Sequence, residues 1–139
     1  MPERTDNPLK LKQRNSSPKF QIHNTALMSA LHPQDFQEVR KDLPTWGRWV
    51  ESAVGTHLVN HGLSHGYKVY YWRHVNNEVD FVLEYKGLAV GIEVKSGPTK
   101  MTAGFQYFMD KFKPHKMLMV GKGGIPWEDF LKSNPRNLF

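Results

Sequence analysis

The chain contains no cysteine, which excludes disulfides and thiolate metal centres and fits a reducing cytosol. No apolar run approaches the roughly 20 residues needed to span a bilayer. No apolar segment follows the charged N-terminus, as one would in a signal peptide. A cytoplasmic protein without a membrane partner is therefore expected. The GxxxxGK[ST] spacing of a phosphate-binding loop is also missing, and the cluster Gly121-Lys122-Gly123-Gly124 does not supply it. Nucleotide hydrolysis by a P-loop is thus excluded.

What is present suits one folded unit. The 139 residues are 39% hydrophobic, with eight Phe, four Trp and five Tyr, enough for a single packed interior. The charge is +6, from 19 basic and 13 acidic residues. A basic balance favours nucleic acid through phosphate contacts, although a modest excess also serves solubility. Residues 1–18 mix charge, Pro, Asn and Ser without apolar period and read as a disordered basic tail. Residues 19–44 read as a preamble of short strand and helix, and residues 45–139 as the main domain.

The most informative stretch is NEVDFVLEYKGLAVGIEVKS, residues 77–96. Its period of two predicts two half-buried strands joined by a tight turn at Lys86-Gly87. Val79, Phe81, Leu83, Val90, Ile92 and Val94 form the expected core face. With a two-residue loop, Tyr85 faces Leu88, Asp80 faces Glu93, and Glu78 faces Lys95. Like charges placed across a ladder are destabilising, so two acids beside a lysine call for a cation or a shared proton. Magnesium (or manganese) is the simplest candidate, since a hard cation takes carboxylate oxygens and keeps sites for water and phosphate.

The rest of the chain supplies layers for this hairpin. Lys19–Asn24 alternates like a short strand, and Leu27 and Leu31 mark a brief helix capped by Asn24 or Thr25. Val50, Ala53, Val54, His57, Leu58 and His61 fall at helical spacing, with Thr45 as cap and Gly62 as stop. Glu51 lies at the margin of that stripe, within reach of the sheet edge. His57 and His61 share a helix face, with His65 four further on, but no third zinc ligand has a recognisable spacing. Tyr67–His74 reads as a strand. Phe105, Phe108, Met109 and Phe112 give a core-facing helix, and His115–Val120 a buried strand. A capping helix and a frayed end are expected after Ile125. From Lys95 to Lys122 there are six lysines and one acid, a basic rim that suits a polyanion.

Glu51 on a helix, then Asp80, then Glu93-Val94-Lys95, resembles the PD-(D/E)XK nuclease superfamily with its restriction-endonuclease-like core. More narrowly, WGRWVE (46–51), YWR (71–73), EVDF (78–81) and EVKS (93–96) resemble the nuclease-like C-terminal domain of prokaryotic AAA-type ATPases. That resemblance implies an α/β fold with a central mixed sheet flanked by helices in the order α-β-β-β-α-β. It also implies phosphodiester hydrolysis, with DNA as the expected partner. Asp80, Glu93 and the Val94 carbonyl would hold magnesium, Glu51 would act through water or a second ion, and Lys95 would serve catalysis. Arg73, Ser96, Lys100 and Gln106 become candidate substrate contacts. Other readings stay open: a homodimer or an ATPase partner or homologue, and a catalytically inactive nucleic-acid-binding or protein-interaction module derived from such an ATPase-associated domain.

Overall fold

The structure is a computed structural model that describes residues 20–97 and 101–139. The tail expected over residues 1–18 and the candidate contact Lys100 lie outside the described residues. Two short helices, α1 (Thr25–Ala30) and α2 (Phe36–Lys41), precede the long α3 (Leu43–His65). Then come β1 (Lys68–His74), β2 (Asn77–Tyr85), β3 (Leu88–Lys95), α4 (Ala103–Phe112), β4 (Lys116–Gly121), α5 (Trp127–Lys132) and a closing 3₁₀ turn (Pro135–Leu138). The four strands form one mixed sheet in the order β1-β2-β3-β4, with β3 and β4 parallel and the others antiparallel. The expected α-β-β-β-α-β order is observed, from α3 to β4.

The sheet separates two apolar layers. On one side Val50, Val54 and Leu58 of α3 pack against Phe81, Leu83, Val90, Ile92, Val94 and Phe130. On the other, Phe108 of α4 packs against Trp72, Val79, Val82 and Ala89. Val79 therefore lies on the opposite face from Phe81, which corrects the face expected from strict alternation. The cause is a register irregularity. Tyr70 pairs with Val82, but Trp72 pairs with Val79. β2 thus carries one residue more than β1 across Asp80-Phe81, and a β-bulge of this kind re-aims the side chains around it.

The hairpin turn forms where expected. Tyr85 pairs with Leu88, and the ladder runs to Phe81 opposite Ile92. Lys86 and Gly87 both have positive φ, 48° and 79°, as a tight hairpin turn of matching twist requires.

Several boundaries move, each for a physical reason. α3 begins at Leu43, ahead of Thr45, with Pro44 in its first turn, where a missing N–H costs nothing. It runs through Gly62 to His65 and stops at Gly66, which is left-handed (φ 78°). Gly62 is inside because the Tyr67 carbonyl lies 2.9 Å from where its Cβ would be. α2 is capped by a reciprocal Asp35–Glu38 pair, so the polar 32–43 stretch is partly helical. Residues 20–24 are not a strand; the Gln21 amide instead donates to the Ser52 carbonyl at 3.0 Å. The C-terminus is not frayed either. Pro135 is buried, Phe139 packs on Tyr67 and Tyr85, and the Arg136 guanidinium sits 3.6 Å from the Tyr85 ring centre.

Candidate functional site

β3 brings the acid and the lysine together because residues two apart on a strand share a face. Ala89, Gly91 and Glu93 follow one another on the α4 side: Ala89 packs with Phe108, and a Cβ on Gly91 would stand 2.9 Å from Met117 Cε. Glu93 is only 2% exposed, and Lys95 Nζ lies 2.8 Å from its Oε1. Among the described residues, the second oxygen, Oε2, is buried without a hydrogen-bond partner. A buried carboxylate oxygen left unsatisfied costs on the order of 1–3 kcal/mol or more. Such an atom points to a ligand or to stored strain.

Asp80, in the bulge, accepts a hydrogen bond from the Val94 N–H at 2.8 Å. This bond ties β2 to β3 beyond the last paired residues, Phe81 and Ile92, so Asp80 meets the Val94 backbone where the register expected it to face Glu93. The Lys95 ammonium is half-buried. Desolvation by itself lowers its pKa, but the hydrogen bond to Glu93 and the charges of Glu93, Asp80 and Glu78 outweigh burial and raise it above the ordinary lysine value. Lys95 is therefore a firm cation at neutral pH, inside a cluster of three acids.

The remaining expected residues spread around this corner. Ser96 turns to the other side, toward α3: its Oγ lies 2.8 Å from where a Cβ on Gly47 would be. Glu51, one turn on from Gly47, shares that helix face. Arg73 is exposed and pairs across the ladder with Glu78. Gln106 is exposed on α4 and donates to Asp110 at 2.8 Å, away from the buried pair. Among the described residues, no group of three or more His, Asp or Glu side chains is arranged to hold a metal ion. The Asp80 carboxylate accepts the Val94 N–H, and Glu93 Oε2, without a hydrogen-bond partner among the described residues, is the oxygen that a cation could take. Magnesium commonly needs no more than one or two carboxylates plus water.

The histidines of α3 form a ladder of rings, His57–His61 at 4.4 Å and His61–His65 at 5.4 Å between centres. His57 Nε2 lies 3.0 Å from the Ser133 carbonyl, and His65 Nδ1 lies 2.9 Å from the His61 carbonyl. Two of the three rings thus make helix and C-terminal contacts.

Two glycines position the site: Gly104, which no motif marks, and Gly121, which the sequence shows only as the start of a glycine cluster. Gly104, in the first turn of α4, allows that helix to sit on the Glu78 backbone; a Cβ there would be 2.7 Å from Glu78 N. Gly121 pairs with Lys95 across the parallel strands at φ 121°. A Cβ there would stand 2.8 Å from the Lys95 carbonyl carbon. The only available signal was a glycine closing an apolar strand, which reads equally well as a loop.

Fold and site together define an α/β domain in which a helix-covered mixed sheet buries an acid–lysine pair. The pair sits near the carboxyl end of the parallel strands, where open α/β sheets commonly bind ligands. Residues 46–128 match the family described as a domain of unknown function (DUF4143), and the chain belongs to that family, found at the C-terminus of AAA-ATPase-like proteins. No curated protein and no solved structure matches the chain. Among the described residues, no helix is long and apolar enough to cross a membrane.

Proposed function

We propose that the domain is a metal-dependent nuclease of PD-(D/E)XK type that hydrolyses phosphodiester bonds in DNA. The observation that carries this reading is Glu93: a buried carboxylate with one oxygen paired to Lys95 and the other without a partner among the described residues. A core glutamate serving structure alone would be expected to have both oxygens satisfied. Asp80 and Glu93 would hold magnesium or manganese, which when bound lowers the pKa of water and offsets charge on the scissile phosphate.

The chain's own residues do the rest. Lys95 stays protonated and offers a fixed positive charge to the phosphate, in a setting where burial strengthens electrostatic stabilisation. Asp80, held by the Val94 N–H, keeps the end of β2 locked to β3, so acid and lysine cannot drift apart. Arg73 and Ser96 flank the corner as contacts for the phosphate backbone. The basic excess of the chain draws a polyanion toward it.

A second reading is favoured by the same ion pair. Lys95 already offsets much of the acidic charge, as it would in a silent binding module that works beside an ATPase. Plasmid DNA incubated with magnesium or manganese separates the two. Cleavage by the wild type, lost in Asp80→Ala and Lys95→Ala, supports hydrolysis. Equal activity in all three proteins, or none with either metal, removes it. Titration calorimetry with manganese adds an independent measure: a live site binds the ion and Asp80→Asn abolishes binding.

A further inference from the structure

Trp72 packs two kinds of partner. Toward the core it meets Phe108 and Phe112 edge to face, at 66° and 77°. Toward the rim it meets Tyr107 and His74 nearly parallel, at 20° and 29°, with centres 5.7 and 6.3 Å away. His74 and Tyr107 are themselves aligned within 19° at 5.9 Å. Edge-to-face and offset-parallel are both favoured arrangements of aromatic pairs, and Trp72 makes each kind with different partners. Trp72 is buried, while Tyr107 and His74 are each half-buried, so the stack runs from the core to the surface.

A cation stands against it: the Lys111 ammonium lies 5.4 Å from the Tyr107 ring centre. The stack also lies on the α4 side of the sheet, the side on which Glu93 and Lys95 stand. His74 pairs with Asn77, and Asp80 follows three residues along β2, about 10 Å away at the rise of a strand.

We propose that His74 and Tyr107 form a stacking platform for unpaired nucleobases, so that the domain takes single-stranded or frayed nucleic acid in preference to intact duplex. This rests on the nucleic-acid reading above and names the form of its substrate. Every base has a π-face, so such a platform selects exposed bases without selecting sequence. Paired bases in a duplex hide those faces. Trp72 anchors the two rings to the core, and Lys111 supplies a phosphate contact beside them.

The test uses the full chain without added metal and a fluorescent single-stranded oligonucleotide carrying 2-aminopurine, beside its matched duplex. Wild type is expected to bind the single strand roughly tenfold or more tighter, with quenching of the 2-aminopurine as it stacks. Tyr107→Leu and His74→Ala should each weaken single-strand binding about 5- to 100-fold and leave duplex binding as it was. Tyr107→Phe, which keeps the ring, should bind like wild type. The inference is overturned if wild type shows no quenching, prefers duplex, or loses both forms equally in the two variants. The quenching needs no variant, so a misfolded mutant does not blunt the test. Plasmid cleavage is scored separately: stacking without cleavage sinks only the hydrolytic reading, and cleavage without stacking sinks only this one.

Discussion

Replacing Gly121 by alanine is the sharpest test of how the backbone places Lys95. At φ 121° an L-residue is strained before any neighbour is considered, at a cost of roughly 1–3 kcal/mol. The new Cβ would stand 2.8 Å from the Lys95 carbonyl carbon and closer still to its oxygen. Real Cβ atoms essentially never come within 3.0 Å of another atom, so the Lys95 peptide must retreat by on the order of 1 Å, which a close-packed interior resists. Losing one ladder hydrogen bond at that point adds about 1 kcal/mol. The sum is a loss of about 2–4 kcal/mol, which a domain of ordinary stability survives. Gly66→Ala is the control. Gly66 also has positive φ, 78°, but nothing lies within 4 Å of its missing Cβ, so it should lose only about 1 kcal/mol. Urea unfolding of the three proteins, together with DNA cleavage, reads both effects. If Gly121→Ala unfolds within about 0.5 kcal/mol of Gly66→Ala and keeps full cleavage, close approach at Lys95 does not set the site.

Two further outcomes follow from the same coordinates. Burial, and then neighbouring His61, hold the His57 imidazole below its ordinary value of 6.5, against the raising effect of the Ser133 carbonyl. The unfolded chain therefore takes up the proton first as pH falls. Stability should be complete above about pH 6.5 and decline as pH drops through the lower folded value. His57→Gln should flatten that slope in urea midpoints measured across the range; an unchanged slope counts against the assignment. Val75, 76% exposed, holds φ 55° in the turn between β1 and β2, a region that β-branched residues avoid. Val75→Asn should raise stability by about 0.5–1 kcal/mol in thermal or urea unfolding. No gain would mean that the turn relaxes.

How much was legible in the sequence depended on which interactions are local. The Lys86-Gly87 turn and its register as far as Phe81–Ile92 follow from alternation and a glycine, both read within twenty residues, and Glu93 and Lys95 meet because they stand two apart on one strand. The Asp80-Phe81 bulge was not legible, because an extra residue in one strand is defined only against its neighbour. It moved Val79 to the Trp72 side and left Asp80 bonded to the Val94 backbone. Gly62 looked like a helix stop because its real function, admitting Tyr67, comes from outside the helix. The order of the C-terminus was hidden for a similar reason: Phe139 and Arg136 are fixed by tyrosines far away in sequence. Gln106 lies exposed on α4, where the Asp110 side chain one turn later engages it, a contact that helical spacing alone makes legible.

The bulge in β2 has a consequence for how this sheet tolerates change. It splits one strand into two phases, so that the hairpin half and the outer half obey opposite rules about which positions face inward. Deleting a single residue at that point would bring the halves back into step and carry Asp80 off the Val94 amide. The acid corner thus depends on a local miscount of one, and length changes there should be far less forgiving than at either turn.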